Sequence, residues 1–386
     1  MPKKALVVGG SSGIGFAISL KLLDQSYEHI YITGKTGVDF EIIPKNKADL
    51  FAEKTTFYLV DLTHEDYRVF DEIRDIDTLI ITAGFGRVAL FEDLTETEIK
   101  NLVKCNELSP IQIIKKYYSL LKSNEDFNCA VLVSITGHIA SPYFTVYGAA
   151  KAGFAAFIEN VNVELAAGGY NNRILDCSPG FIEGTAFNGG KNDLSQVEDV
   201  VSNIVDRMLK KDTLYIPNYD EIYKSVLERY HDDPMQFGLQ SYEYKKQSGR
   251  ISSKPQVVVG YLSGTFDLFH IGHLNLLHRA KEQCDYLIVG IHKSGAWKGK
   301  ETYIPFEERK AILKSICYVD KVVESFTEDS DAWSVYYYDK LFVGSDYKGS
   351  QRFNRYEEYF ADKGVKIVYF PYTQGTSSTQ LRKAIE

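Results

Sequence analysis

Cysteine, net positive charge and long apolar runs are all scarce in this 386-residue chain, and each shortage removes a class of protein. Its five cysteines (Cys105, Cys129, Cys177, Cys284 and Cys317) form no CxxC pair and keep no regular spacing. That pattern argues against a zinc ribbon or a disulfide framework and points to a reducing cytoplasm. The formal charge is -8, so the basic stripe that displaces counterions from a nucleic-acid backbone is missing. No nucleic-acid partner is expected, and local lysine clusters read as phosphate sites or solvated faces. The opening MPKKALVVGG passes from two lysines straight into a glycine turn, leaving no apolar stretch for a signal peptide or a membrane span.

What the chain does have is a core. Hydrophobic residues make up 44% of it and charged residues 25%, and its 27 Tyr and 22 Phe give an aromatic share of 13%. A chain of this length divides into two or three domains, each able to bury its own apolar interior. Ala5 to Val8, a glycine turn and FAISLKLL read as strand, turn, helix. Further strand-like runs follow at His29 to Thr33, Thr56 to Val60, Thr78 to Thr82, Ala130 to Ile135 and Arg173 to Asp176, with room for crossover helices between them. This rhythm predicts an α/β fold with a doubly wound parallel sheet. A helix is expected at Asp220 to Tyr230, and then a polar stretch without apolar periodicity, so the first domain is set at 1–234 and a linker at 235–255. From Gln256 a second strand, turn, helix unit begins, with later strands at Tyr286 to Ile291, Lys321 to Val323, Lys340 to Val343 and Lys366 to Phe370. Residues 256–386 are therefore expected to form a smaller α/β domain.

In the first domain, VVGGSSGIG places Gly9, Gly13 and Gly15 between strand and helix, where bare backbone N–H groups can approach a pyrophosphate. Downstream, Tyr147 and Lys151 in YGAAK lie four apart and share a helix face. There the ammonium is expected to lower the phenol pKa and prepare Tyr147 for proton transfer. Ser134 lies thirteen residues before Tyr147 at a strand end.

Together with Asn106, these features resemble the short-chain dehydrogenase/reductase family over about residues 1 to 230, which implies a Rossmann-type sheet. The resemblance makes Tyr147 the general acid or base, gives Ser134 the substrate oxygen, has Lys151 hold the nicotinamide ribose, and gives Asn106 a proton-relay water. It puts the dinucleotide on Gly9, Ser11, Ser12, Gly13, Ile14, Gly15, Asp61, Leu62, Ala83, Gly84, Pro179 and Gly180. The second strand ends in ITGKTG, where Lys35 replaces the acid that accepts from a ribose 2′-OH, so NADP is expected over NAD. Val8 replaces the family's usual threonine, and its asparagine-alanine-glycine segment reads Thr82, Ala83, Gly84. Thr185 falls one residue later than usual, and residues 181 to 195 are expected to cover the substrate.

The second domain carries GTFDLFHIGH, in which Gly264 and Thr265 form a turn and His270 and His273 open a helix three residues apart. Both imidazoles can face one phosphate, where donors aimed at its oxygens lower the barrier to nucleotidyl transfer. GTSSTQLR (Gly375 to Arg382) offers hydroxyls and N–H groups at a helix start. The pair of motifs resembles the HxGH nucleotidyltransferases over residues 256 to 386, and most of all the glycerol-3-phosphate cytidylyltransferases. The resemblance assigns His270 and His273 to the transition state and Gly264, Thr265, Phe266 and Asp267 to the nucleotide. It assigns Lys298, Lys300 and Arg309 to phosphates, Gly375, Ser377, Ser378 and Thr379 to the triphosphate, and Asp346 to cytosine or ribose. Tyr372 and Ser294 depart from the family pattern, so acceptor recognition is expected to differ. CTP, arriving with Mg2+, is favoured over ATP by local likeness alone; no dedicated protein metal site is expected.

A reductase joined to a cytidylyltransferase is expected to turn a ketose phosphate into a polyol phosphate with NADPH, then into a CDP-polyol for a cell-surface polymer such as capsule or teichoic acid. Two other orders stay open at this point: cytidylylation first with reduction of the CDP-linked product, or a sensor with one inactive half. Family habit adds a homo-oligomer.

Overall fold

The computed structural model describes residues 3–25, 27–38, 42–64, 66–185, 187, 193–249, 251, 257–294, 301–371 and 380–381. The chain forms two compact units, Met1–Lys254 and Pro255–Glu386.

The first unit is built on seven parallel strands: β1 (Lys4–Val8), β2 (His29–Gly34), β3 (Thr55–Leu59), β4 (Thr78–Ile81), β5 (Asn128–Leu132), β6 (Ile174–Cys177) and β7 (Leu214–Tyr215). Their order is β3-β2-β1-β4-β5-β6-β7, and every neighbouring pair is parallel. Strands covered on both faces read as continuous apolar runs, and β1 and β4 are buried along nearly their whole length. One face packs Phe16, Leu20 and Leu23 of the helix Gly13–Asp24 with Val201 and Val205. The other packs Phe154, Ile158 and Leu165 of the helix Thr145–Ala167. Chain order reverses between β1 and β4, and a ligand crevice opens at that reversal, beyond the strand ends. Strand β7 escaped the sequence reading because it has only two residues, too few to show a period.

Residues 235–255, expected as linker, are mostly helix: Pro234–Gln247 is α-helical and folds against the first unit. Tyr242 stacks on Tyr143 with ring centroids 4.8 Å apart, and Lys245 donates to Ser141 Oγ at 2.6 Å and to the Pro142 carbonyl at 2.9 Å. None of the helix's residues is fully buried, so no apolar stripe announces it. Its start does carry a signal: the Asp233 side chain caps the Gln236 N–H and Pro234 opens the first turn. The helix expected at Asp220 to Tyr230 begins as a π turn at Tyr219–Tyr223 and continues as Lys224–Asp232.

The second unit has five parallel strands: β8 (Val259–Gly264), β9 (Tyr286–Ile291), β10 (Lys321–Glu324), β11 (Lys340–Gly344) and β12 (Lys366–Phe370). Their order, β10-β9-β8-β11-β12, again puts the reversal beside the first strand. Leu262, Leu277, Leu287, Val289 and Phe342 fill one side, and Tyr261, Tyr338, Phe353 and Phe360 the other.

Candidate active sites

At the first reversal point the glycine turn is pressed against the end of β4. Gly9 has φ +85°, a left-handed conformation, and a Cβ there would strike the Ala83 backbone; one on Gly15 would strike the Thr82 hydroxyl and the Gly9 carbonyl. Thr82 Oγ1 donates to the Val8 and Gly9 carbonyls at 3.2 and 3.1 Å, so the residue that departs from the family's asparagine braces the turn. Ser12 is the N-cap of the helix Gly13–Asp24 but makes no side-chain capping bond, and the first turn holds no acid. The first N–H groups are thus available to an anion. Ile14 and Leu62 point their side chains into the core, which leaves only their backbones for a cofactor. Ser11 is buried against Gly34.

Lys35 and Asp61, expected at the adenine end, lie 3.3 Å apart as an ion pair. Burial pushes the Asp61 carboxyl up, but Lys35, His64 and Thr63 together hold it below its ordinary value. Lys35 keeps more than half of its side chain exposed and remains within reach of a ligand phosphate.

The residues expected to be catalytic, Ser134, Tyr147, Lys151 and Asn106, gather at the ends of β4 and β5. Tyr147 is 6% exposed, and its phenol is hydrogen-bonded to Ser134. Thr136 donates to Ser134 Oγ through its backbone N–H at 3.2 Å and its hydroxyl at 3.0 Å, which fixes the serine rotamer. Lys151 is almost wholly buried, and its ammonium donates to the Leu132 carbonyl at 2.8 Å. Burial pulls Lys151 down to about 8 and pushes Tyr147 up to about 12, Ser134 only partly offsetting the rise. Desolvation of the phenolate leads that rise and the Cys105 thiol adds to it. A phenol that keeps its proton at neutral pH suits proton donation, the need of a carbonyl being reduced.

Asn106 is completely buried in a π turn (Lys104–Leu108) that interrupts a longer helix, a deformation common at functional sites. Its Nδ2 donates to Phe85 and Leu102 carbonyls at 2.9 Å each, while Oδ1 has no partner among the described residues. A Cβ on Gly84 would meet that same Oδ1 and come near Lys151 Nζ. Gly84 therefore leaves room beside an orphan acceptor and an ammonium, a fit for a hydroxyl or water in the crevice. Beyond β6 the Pro179 carbonyl accepts from the Ile135 N–H at 2.9 Å, tying two loops together, and the Tyr223 phenol sits on Gly180. The rings of Phe144 and Phe187 each lie 5.5 Å from that of Tyr147. The part of 181 to 195 that includes Phe187 thus reaches Tyr147; residues 186 and 188–192 lie outside the described residues. Thr136, Phe144 and Phe187 carry no sequence pattern that marks them in advance.

The second site is a strained turn. Phe266 and Leu268 both have left-handed φ, +53° and +50°, costly for bulky side chains and typical of loops held in shape for a task. Gly264 gives that turn its space, since a Cβ there would touch the Phe266 ring. His270 caps the helix Ile271–Lys281: its Nδ1 accepts from the Gly272 N–H at 3.0 Å. An accepting Nδ1 puts the proton on Nε2 of the neutral ring, ready to donate. His273 stacks on His270 with centroids 4.0 Å apart and is flanked by the rings of Phe266 and Phe269. Burial, then His270, pulls the His273 imidazole down to about 3, against a smaller upward pull from Asp267. Its Nδ1 is buried without a partner among the described residues.

Two residues expected to touch the nucleotide also hold the scaffold together. Asp267 accepts from the Tyr303 N–H at 3.1 Å and the Ile304 N–H at 3.0 Å. Arg309 is 1% exposed and donates to four carbonyls: Ile304 at 2.9 Å, Thr265 at 2.5 Å, His292 at 3.0 Å and Lys293 at 2.8 Å. Four of its five N–H groups join the turn to two other loops, which gives Arg309 a positioning role beside the phosphate contact expected of it. Arg309→Met should then lower the stability of the second unit by roughly 3 kcal/mol, because several buried carbonyls lose their donor. Thermal unfolding and the KM for CTP check this; a raised KM with unchanged stability would leave only the phosphate role. Asp346 lies exposed at the end of β11, beside the reversal point. Lys298, Lys300, Gly375, Ser377, Ser378 and Thr379 lie outside the described residues, as does Tyr372. Among the described residues no group of three His, Cys, Asp or Glu side chains is arranged to hold a metal ion, and no helix is long and apolar enough to cross a membrane.

Comparison with known proteins separates along the same division. Residues 3–196 match the family model described as short chain dehydrogenase, and residues 261–384 the one described as cytidylyltransferase-like. Glycerol-3-phosphate cytidylyltransferase of Bacillus spizizenii is 37% identical over 124 residues, 31% of this chain and 91% of that protein. A 3-oxoacyl-(acyl-carrier-protein) reductase of Chlamydia trachomatis is 29% identical over 187 residues, 47% of this chain and 74% of that protein. A short chain dehydrogenase from Burkholderia cenocepacia, solved in complex with NADP, is 18% identical and covers 59% of this chain and 97% of that one, with a TM-score of 0.47.

Proposed function

This chain belongs to the short chain dehydrogenase family through residues 3–196 and to the cytidylyltransferase-like family through residues 261–384, and from that premise we propose that it makes a CDP-polyol in two steps. The first unit reduces a ketose phosphate to a polyol phosphate with NADPH; the second transfers CMP from CTP to that phosphate and releases pyrophosphate. The observation that carries the reading is the presence on one polypeptide of a proton-donating Ser134–Tyr147 pair and of a stacked His270–His273 pair in a unit 37% identical to a glycerol-3-phosphate cytidylyltransferase. A polyol phosphate is what the first chemistry can supply and the second consume, and a shared chain keeps the two catalysts equal in number and close together.

In the reductase, NADPH supplies the hydride when bound. The clash-limited glycine turn, the uncapped helix start and the room over Gly84 would hold it, and Lys35 favours the 2′-phosphate. Ser134 holds the substrate carbonyl oxygen and Tyr147 gives it a proton as the carbon is reduced, so C=O becomes CH–OH. Lys151 stands behind the phenol as the buried cation, and Asn106 offers its orphan Oδ1 to the water that returns the proton. In the transferase, His270 Nε2–H and the His273 imidazole donate to oxygens of the CTP α-phosphate as the polyol phosphate oxygen attacks it. Mg2+ enters on the triphosphate. Four buried free cysteines and the absence of a membrane-crossing helix among the described residues support a cytoplasmic setting, with a homo-oligomer as in the family and a product destined for a cell-surface polymer.

Incubating the full-length protein with NADPH, CTP, Mg2+ and ribulose, xylulose or tetrulose phosphates tests this. NADPH loss and pyrophosphate release, both requiring the same ketose phosphate, are expected. NADPH loss with none of them, or equal rates with NADH, would overturn the substrate or the cofactor assignment respectively.

A further inference from the structure

The helix Pro234–Gln247 delivers one cation to the wall of the reductase site. Lys245 Nζ lies 5.2 Å from the centroid of Phe144, whose ring in turn lies 5.5 Å from that of Tyr147. The ammonium is half-buried and donates to Ser141 Oγ and the Pro142 carbonyl, both neutral groups in the loop that leads into the catalytic helix. That loop is held firmly: Tyr143 takes a left-handed φ of +66°, its carbonyl accepts from Ala89, and its ring stacks on Tyr242. An ammonium has three N–H groups, and these two bonds leave a third.

Among the described residues, the other cations near Tyr147 are already balanced or turned inward. Lys151 donates into the Leu132 carbonyl, Arg87 is ion-paired with Glu98 at 2.6 Å, and His138 bonds Ser178 at 2.9 Å beside Asp176. Lys245 has no carboxylate within ion-pair distance among the described residues, and burial, with nothing acidic to oppose it, pulls its ammonium down to about 8. A desolvated, uncompensated cation is costly to keep unless an anion comes to it. We propose that Lys245, with the Ser141 hydroxyl, is the subsite for the phosphate of the reductase substrate, making a phosphomonoester a requirement of that site rather than a tolerated group. A carbonyl at Tyr147 and a phosphate at Lys245 would be joined by a short carbon chain lying along Phe144. This rests on the reductase reading above and sharpens its substrate class.

The test compares the full-length wild type, Lys245→Met, Lys245→Gln and Lys245→Arg, each with NADPH and with ribulose 5-phosphate or dihydroxyacetone phosphate against unphosphorylated ribulose or dihydroxyacetone. The wild type should prefer the phosphorylated member of each pair. In Lys245→Met and Lys245→Gln the ratio of the two kcat/KM values should fall about 10- to 100-fold, mainly through KM, and Lys245→Arg should recover most of it. Thermal unfolding of the same preparations reports whether the first unit is folded. Equal loss on phosphorylated and unphosphorylated substrates would make Lys245 a helix anchor only, and an unchanged ratio would remove it from the site. If the wild type reduces the unphosphorylated ketoses alone, the ketose phosphate reading fails and this subsite with it.

Discussion

Tyr147→Phe should lower the kcat/KM of carbonyl reduction about 10³-fold while leaving CMP transfer at its wild-type rate. The phenol is bonded to Ser134 at the crevice as an acidic proton donor, and loss of a positioned general acid costs about 10²- to 10⁴-fold. A thousandfold loss is about 4 kcal/mol of transition-state stabilisation. Phenylalanine keeps the packing against Phe144 and Phe187, so the unit should remain folded and unfolding should shift little. The pH dependence adds a second check. Lys151, pulled down to about 8, is charged below that pH and loses its proton above it, whereas Tyr147 at about 12 stays protonated throughout. Reduction should therefore hold steady towards neutral pH and decline as pH rises through about 8. A Tyr147→Phe protein with unchanged turnover would mean that the proton comes from elsewhere, and would revive a sensing role for this unit.

How much of this was legible in the sequence depended on whether local geometry alone decided it. The four-residue step from Tyr147 to Lys151 and the three-residue step from His270 to His273 are properties of one helix turn, and the alternation of apolar runs with long crossovers already implies parallel sheets. The glycine turn was legible for the same reason: a bare backbone is needed wherever Gly9 meets Ala83. What tertiary burial decides was not. Arg309 and Asp267 read as phosphate and nucleotide ligands in the sequence, and nothing there announces that the fold also brings four carbonyls around one and two N–H groups onto the other. The rise of the Tyr147 phenol is likewise invisible in the sequence, since desolvation is set by everything packed around it, Phe187 forty residues away included. The helix Pro234–Gln247 was read as linker because its contacts go through Tyr242 and Lys245, too few to impress a period on the sequence.

His273→Leu should reduce CMP transfer about 10²- to 10³-fold and at the same time stabilise the second unit. Removing one preorganised donor from a developing phosphate charge costs about that factor in kcat. The stability gain follows from the imidazole's present situation: it is buried between Phe266 and Phe269, held at about 3, and leaves Nδ1 without a partner among the described residues. A buried polar atom left unpaired costs about 1 to 3 kcal/mol, which an apolar side chain of similar size would avoid. The free enzyme therefore carries a neutral, under-satisfied His273 at every pH above about 4, and no acid limb from its protonation is expected between pH 5 and 8. His270 should behave differently. Its Nδ1 also caps the helix, so His270→Ala loses both the donor and about 1 kcal/mol of stability, whereas His270→Asn retains the capping acceptor. Calorimetric unfolding beside pyrophosphate release separates the cases. A His273→Leu protein that is less stable, or one that still transfers CMP at the wild-type rate, would show that the imidazole is held for packing and not for the phosphate.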